Sequence, residues 1–303
     1  TRYKSYIELE KNSENSISFI EVYNIQNLDE KSSNNEPVLA PSISHHIFNS
    51  NEKYNYDIKF NAHSIYNDES YDIKRWSGLV KINKQFSYDN LLLEADANIG
   101  LDLYSIQGRP STDSNDNRYI DRISSGFSIA ASHQYILMNE STSLLIEPKI
   151  QFSSVFSSDR TDEVPNRDSA EFRLDQANLF LNNQFQGRDN IQENNRLNLG
   201  ITSLVMTENL GDINFFIGQS QKVSGTQKNI TLANEDRQSH IINSIDWNPS
   251  EMYKFSWFSL YDHHNFKSDT SDFNFNGSFN GWSYSANHKS VDGEFISNNI
   301  DRE

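Results

Sequence analysis

The chain's 303 residues fit one large all-β domain or two ordinary ones, and 42 acidic against 26 basic residues give a net charge of −16 at pH 7. That balance argues against a nucleic-acid partner, which calls for a basic patch, and with no cysteine there is neither a disulfide framework nor a thiolate site. A hydrophobic fraction of 35% and a mean hydropathy of −0.72 point toward disorder, but 19 Phe and 14 Tyr show that the apolar content is concentrated rather than missing.

The first segment, TRYKSYIELEKN, has neither the apolar h-region of a signal peptide nor an initiating Met, so a mature chain or an internal piece is expected. No run in the chain approaches the roughly 18 apolar residues of a membrane helix. Alternation begins early and recurs almost to the end. In YDIKFNAHSIY, Ile58, Phe60 and Ala62 share one face and Lys59, Asn61 and His63 the other. In NLLLEADANIGLDLYSI, Leu91, Leu93, Ala95, Ala97, Ile99, Leu101 and Leu103 oppose Leu92, Glu94, Asp96, Asn98, Gly100, Asp102 and Tyr104. A helix would scatter those acidic residues around its circumference, so the segment reads as a strand. It is far longer than the usual 5–6 residues.

Next, LLIEPKIQF sets Leu144, Ile146, Ile150 and Phe152 against Glu147, Lys149 and Gln151. A long polar loop follows over 157–194, and a loop of that length inside a compact domain is expected to be functional. Beyond it the alternation resumes with Leu197, Leu199, Ile201 and Val205, then with Ile213, Phe215 and Ile217. Tyr253, Phe255, Trp257 and Tyr261 form a face that is almost wholly aromatic. The count comes to roughly 13–15 strands, most of them reaching the 9–11 residues that a membrane strand needs.

Short polar turns at 87–90, 209–212 and 248–251 alternate with long polar loops at 108–119, 157–194 and 225–238. One apolar and one polar face, short turns on one side and long loops on the other, describe a large antiparallel transmembrane β-barrel of the outer-membrane type. The polar residues Glu94, Asp96, Asn98, Asp102, Glu147, Lys149 and Gln151 are then candidates for lining the lumen. Their carboxylates suit divalent cations, though a hydrated wall is the simpler reading, and no metal site or cofactor is expected. His45–His46 and His263–His264 are adjacent pairs, and on a strand neighbours point to opposite faces. Tyr253, Phe255, Trp257 and Tyr261, with Trp76 and Trp282, suit an interfacial girdle. No G-x-S-x-G elbow or H-E-x-x-H helix is present, so no enzyme is expected.

Within the loop the carboxylates Asp159, Asp162, Glu163, Asp168, Glu171, Asp175, Asp189 and Glu193 mingle with Arg160, Arg167, Arg173 and Arg188. This mixture suggests a loop ordered by Arg–carboxylate pairs and folded over or into the lumen. Ile146, Glu147 and Pro148 precede it, then come Pro165 and Asn166 with Asp168 and Ser169. Phe172, Asp175, Asn178, Leu179 and Phe180 follow, and after them Phe185, Gly187, Arg188 and Asp189. Asn195, Arg196, Leu197 and Gly200 open the next strand, with Gly218 and Gln219 in the one after. This ordered set resembles the barrel domain of the outer-membrane lipopolysaccharide-assembly family, the LptD (OstA) type. Earlier segments, PVLAPSISHH over 37–46, 54–66 and 75–79, fit the family's first hairpins more loosely.

The resemblance implies a barrel closed by its first and last strands. It implies a protein that receives lipopolysaccharide from a periplasmic bridge and delivers it to the outer leaflet, with a plug lipoprotein in the lumen and outer-membrane lipids outside. The family's jelly-roll domain has no counterpart before Thr1, its usual cysteines are missing, and the terminal SNNIDRE lacks the aromatic closing strand. The whole chain, 1–303, is therefore expected to be a single barrel domain cut from a longer protein. A porin or solute channel would share every periodic feature, and a secreted adhesive β-domain is a third possibility. An outer-membrane hydrolase is the weakest reading, for want of a catalytic set.

Overall fold

The computed structural model of the chain describes residues 2–27, 38–50, 54–66, 72–107, 117–158, 163–166, 168–169, 173–183, 185–191, 193–225 and 238–292. Their strands are β1 (Arg2–Ser13), β2 (Ser16–Asn27), β3 (Val38–Ser50), β4 (Asn55–Tyr66), β5 (Asp72–Tyr88), β6 (Leu91–Gln107), β7 (Arg118–His133) and β8 (Tyr135–Met138). They continue as β9 (Thr142–Ser157), β10 (Asn194–Thr207), β11 (Gly211–Ser224), β12 (Ile241–Ser250), β13 (Tyr253–Tyr261), β14 (Ser268–Phe279) and β15 (Trp282–Val291). All fifteen belong to one sheet whose order follows the chain from β1 to β15, with the short β8 off that path and paired to β9. Such an order arises when each strand folds back on its predecessor through a hairpin, which antiparallel pairing permits with a tight turn. Asn280 and Gly281 make one such turn, both at positive φ (49° and 80°), the conformation that the Asn-Gly pair favours in a two-residue hairpin. Among the described residues no helix is long and apolar enough to cross a membrane.

The chain divides into two compact units. The first comprises Thr1–Lys84, Asp96–Gly126 and Phe156–Arg167. Its buried residues include Ile73, Tyr104, Ile106, Ile120 and Val164, and beside them lie Asp102 and Arg122, each 0% exposed. On the other face of the same strands Leu101, Leu103 and Ile123 are about half exposed. The second unit comprises Gln85–Ala95, Phe127–Val155 and Asp168–Glu303. Its core joins Leu174, Leu179, Phe216, Ile242 and Leu260, with Phe180 and Phe258 packed against them. Here too Asn198 and Ser153 are fully buried while Ile150, Leu199 and Ile201 stand out on the opposite face.

Both units thus invert the arrangement of a water-soluble sheet, with polar groups covered and rows of Leu, Ile and Phe uncovered. In water such rows are an association liability. Against hydrocarbon they are the required surface, provided that the backbone groups pair within the sheet. The reading of Leu91 to Leu103 as one face and Glu94 to Tyr104 as the other holds along β6. At 17 residues β5 and β6 outrun the 9–11 residues of a membrane crossing, so their ends extend beyond it.

Several expectations fall outside the described residues: the loop segments 108–116 and 226–237, Pro37, Asp159, Arg160, Asp162, Arg167, Glu171, Phe172 and the terminal SNNIDRE. One reading is corrected. His45 and His46 lie on β3 and diverge, to Ser18 Oγ at 2.8 Å and to Asp57 Oδ1 at 2.7 Å. His263 and His264 instead sit in the turn between β13 and β14, where strand alternation does not apply, and their ring centroids lie 3.8 Å apart with the planes tilted by 40°.

Candidate functional site

The residues singled out in the 157–194 loop converge on two small constructions and one docking surface. The first construction is a clasp. Asp168 Oδ1 accepts hydrogen bonds from the backbone N–H of Arg188 and of Asp189, both at 3.0 Å. In return Asp189 Oδ2 accepts the N–H of Asp168 at 3.0 Å, and Ser169 Oγ accepts that of Asn190 at 2.9 Å. Gly187 makes the clasp possible. Its φ is +78°, and a Cβ there would lie 2.3 Å from the carbonyl oxygen of Asp168, a clash with backbone that cannot move aside. Two stretches some twenty residues apart are thereby tied into one closed loop.

The second construction is a reciprocal turn. Asp175 Oδ1 accepts from the N–H of Ala177 (2.8 Å) and of Asn178 (3.0 Å), while Asn178 Oδ1 accepts the N–H of Asp175 at 2.8 Å. Two short side chains satisfy the orphan donors that a capping box would satisfy at a helix start. Asn178 Nδ2 also donates to the carbonyl of Arg173 (2.7 Å). The turn presents Leu179 and Phe180, and Leu179 is wholly buried. Asp168 and Asp175 therefore shape the described part of the loop by accepting backbone N–H groups. Arg173 reaches outside the loop, pairing with Asp272 of β14 and lying 4.1 Å over the Phe258 ring.

The docking surface is the polar face of β9–β14. Gly200 and Gly218 stand opposite each other across β10 and β11, leaving a shallow depression. A Cβ on Gly218 would lie 2.6 Å from Leu179 Cδ2, and one on Gly200 would lie 3.0 Å from Phe180 Cζ. Leu179 and Phe180 fill the space that two side chains would otherwise take. Around this seat the polar face holds the loop backbone. Gln151 Nε2 donates to the Phe180 carbonyl at 2.8 Å, and Arg196 Nη2 donates to the carbonyls of Leu181 (3.0 Å) and Asn182 (2.9 Å). Gln151 is itself fixed by Asn198 Nδ2 at 2.8 Å, and Asn198 Oδ1 accepts from Ser220 Oγ at 2.6 Å. Lys149 bonds Glu94 at 2.5 Å and stands 5.1 Å over the Phe180 ring.

The other polar-face residues are occupied rather than bare. Asp102 is paired with Arg122, Asp96 accepts from Asn83 at 2.8 Å, and Glu147 accepts from Gln134 at 2.9 Å. Asn98 lies against Gly126, where a Cβ would come within 2.8 Å of its amide. Pro165 and Asn166 follow Val164, which packs into the core of the first unit. Phe185 is buried, and Asn183 Nδ2 donates to its carbonyl at 3.2 Å.

On the opposite face Phe255 stacks between Trp247 (5.1 Å) and Phe275 (4.7 Å), and Tyr253 stacks on Phe275 at 6.4 Å. Trp257 Nε1 donates to Ser271 Oγ at 3.0 Å, and Tyr261 ends the row, half-buried. The functional residues that sequence reasoning passed over are Arg196, Gly200 and Gly218, all quoted within the family pattern but given no role. An isolated Gly in an alternating strand signals close backbone approach, and that signal was present twice.

The clasp yields a direct prediction. Asp168→Ala should destabilise the loop by about 2–3 kcal/mol, because it strands two N–H groups that now meet a charged acceptor. Faster hydrogen exchange at the Arg188 and Asp189 amides, with β10 and β11 protection retained, would show it. Asp168→Asn keeps one acceptor and should lose much less.

One antiparallel sheet in chain order, with polar groups covered on one face and rows of Leu, Ile and Phe exposed on the other in each unit, fits the class of outer-membrane β-barrel proteins. Within that class, the family model described as LPS transport system D, LptD, matches residues 2–302. The chain belongs to the LptD family, whose members reside in the outer membrane and serve lipopolysaccharide transport and assembly. It is similar to the LPS-assembly protein LptD of Pseudomonas savastanoi pv. phaseolicola (strain 1448A / Race 6), 38% identical over 64 residues. That match covers 21% of this chain and 7% of the relative's length.

Proposed function

We propose that this chain is the membrane-crossing part of a machine that passes lipopolysaccharide to the outer leaflet. In this reading 1–303 forms one barrel domain and the polar face of β5–β14 lines its lumen. Glu94, Asp96, Asn98, Asp102, Glu147, Lys149 and Gln151 make a wall that suits saccharide, and acyl chains leave sideways through a seam between strands. A plug lipoprotein occupies the lumen, and a periplasmic bridge delivers cargo through a further domain of the parent protein. Tyr253, Phe255, Trp257 and Tyr261 anchor the barrel at the membrane interface among outer-membrane lipids. No bond is made or broken, so no nucleophile, base or cofactor is called for.

One observation carries the reading. The family-pattern residues Asp168, Asp175, Asn178, Phe180, Gly187 and Asp189 form a loop built to sit on the polar face, with a glycine seat cut for it. The match of the family model over residues 2–302 supports lipopolysaccharide transport over a passive channel. Depleting the parent protein in its own cell should remove newly made lipopolysaccharide from the surface and strand it behind the outer leaflet. Slower solute uptake with normal surface lipopolysaccharide would instead identify a porin.

A further inference from the structure

The polar face beneath the loop contains donors and acceptors that the loop does not use. Arg196 is 2% exposed, and only its Nη2 is engaged, by the carbonyls of Leu181 and Asn182. Among the described residues its Nε and Nη1 have no partner, nor do the two amide atoms of Asn194, the hydroxyl of Ser153 and the amide oxygen of Asn182. These groups are neighbours. Ser153 stands directly opposite Arg196 across β9 and β10. Asn194 is two residues before Arg196 on the same face, and Asn182 already touches the guanidinium through its carbonyl. Lys222 stands opposite Arg196 on the other side, across β11.

A buried guanidinium is normally paired and hydrogen-bonded, since leaving its charge alone in a low dielectric costs several kcal/mol. Among the described residues no carboxylate meets Arg196. The vacant donors are numerous: Nε–H, both hydrogens of Nη1, the Asn194 amide and the Ser153 hydroxyl. The guanidinium fork suits carboxylate and phosphate alike, but a carboxylate has two oxygens to offer and a phosphate monoester three, which better matches the number of vacant donors. The vacant acceptors, Asn182 Oδ1 and Asn194 Oδ1, call for hydroxyl donors on the same ligand.

We infer that Arg196, Ser153, Asn194 and Asn182 form a binding site for a phosphorylated saccharide, with the phosphate on the guanidinium and sugar hydroxyls on the two amide oxygens. The inference deepens the transport reading and rests on it where the saccharide is the headgroup of the transported glycolipid. The same chemistry would also take a free sugar phosphate. Docked as observed, the loop carbonyls occupy Nη2 and the loop supplies Asn182, so the ligand takes the Nε and Nη1 edges with the loop in place.

The test uses the full parent protein in detergent micelles. Three probes are titrated: glucose 1-phosphate, a micellar glycolipid phosphorylated on its saccharide, and the same glycolipid after phosphatase treatment. Wild type should bind the phosphorylated glycolipid about tenfold more tightly than the dephosphorylated form, the order expected for charge-assisted bonds. Arg196→Gln should erase that difference, and Arg196→Lys should restore part of it. Ser153→Ala, a smaller change that keeps the fold if Arg196→Gln does not, should weaken the preference in the same direction.

Arg196-dependent binding of glucose 1-phosphate without glycolipid discrimination would assign the site to free sugar phosphates. A phosphate preference that survives both Arg196→Gln and Ser153→Ala, or no preference in wild type for either phosphorylated probe, overturns the inference. If that happens while surface lipopolysaccharide still depends on the protein, the transport reading stands and only the site falls. If the site binds as stated but depletion leaves surface lipopolysaccharide unchanged, the reverse holds.

Discussion

Replacing Arg122 by leucine is expected to lower the stability of the first unit by about 3–5 kcal/mol, the range seen when one partner of a buried ion pair is removed. Arg122 donates from Nε (3.2 Å) and Nη2 (2.8 Å) to the same carboxylate oxygen of Asp102, and from Nη2 to the Tyr104 hydroxyl at 3.0 Å. Its guanidinium also lies 5.5 Å over the Tyr104 ring. Both charged side chains are fully buried, so salt screening, which weakens exposed pairs, has little hold here. Without Arg122 the buried Asp102 carboxylate would lose the cation that holds it through two charge-assisted bonds.

The urea midpoint of the protein in micelles measures the loss, and the double variant Asp102→Leu with Arg122→Met separates its causes. Removing both charges together should recover most of the stability, since a buried pair contributes little beyond its hydrophobic replacement. Equal losses in the single and double variants would mean that packing volume, not the stranded charge, is what Arg122 supplies.

Asp102 also shows where reading the sequence stops. Alternation alone put it on the polar face of β6, opposite Leu101 and Leu103, because a strand's side chains repeat with period two whatever lies across from them. The same logic bounded the long loop at 157 and 194, where β9 ends and β10 begins. Which strand would bring a cation to Asp102 depends on register, and register is set by turns and by the whole hydrophobic pattern. Arg122 is twenty residues away, with nothing in its neighbourhood to mark it. A hydrated carboxylate was therefore the natural expectation at this position, where the structure places Asp102 against Arg122. His263 and His264 mark the complementary limit, since a periodic rule fails as soon as the chain turns. The loop lies between these cases. Its acidic residues and glycine were visible, but Asp168 and Asp175 bond backbone N–H groups, which a sequence does not display.

The glycine seat leads to the second large effect. Gly218→Val should expel the loop from the polar face while leaving the sheet intact. A Cβ at 218 already falls 2.6 Å from Leu179 Cδ2 and 2.7 Å from Phe216 Cζ, and the two further methyls of valine demand space that neither can give up together. Phe216 is 1% exposed and walled by Ile242 and Leu260, so it is the loop's Leu179 that yields. Losing the burial of that side chain costs about 2–3 kcal/mol. The bonds from Gln151 to the Phe180 carbonyl and from Arg196 to Leu181 and Asn182 then lose their geometry together.

Limited proteolysis should accordingly gain a cleavage within 173–191 in the variant, at unchanged β-sheet circular dichroism. Gly218→Ala, whose single methyl meets only the far ends of two side chains, should show a partial effect. Gly200→Val should behave like Gly218→Val, because Phe180 stands 3.0 Å from that position. The three variants also ask what the loop does. If it only covers the face, their export of lipopolysaccharide should match wild type or exceed it. If the docked loop positions cargo, export should fall in proportion to the fraction cleaved. Loss of the sheet signal along with the loop would show instead that Leu179 and Phe180 are structural parts of the second unit's core, and that the glycine pair is there to let that core close.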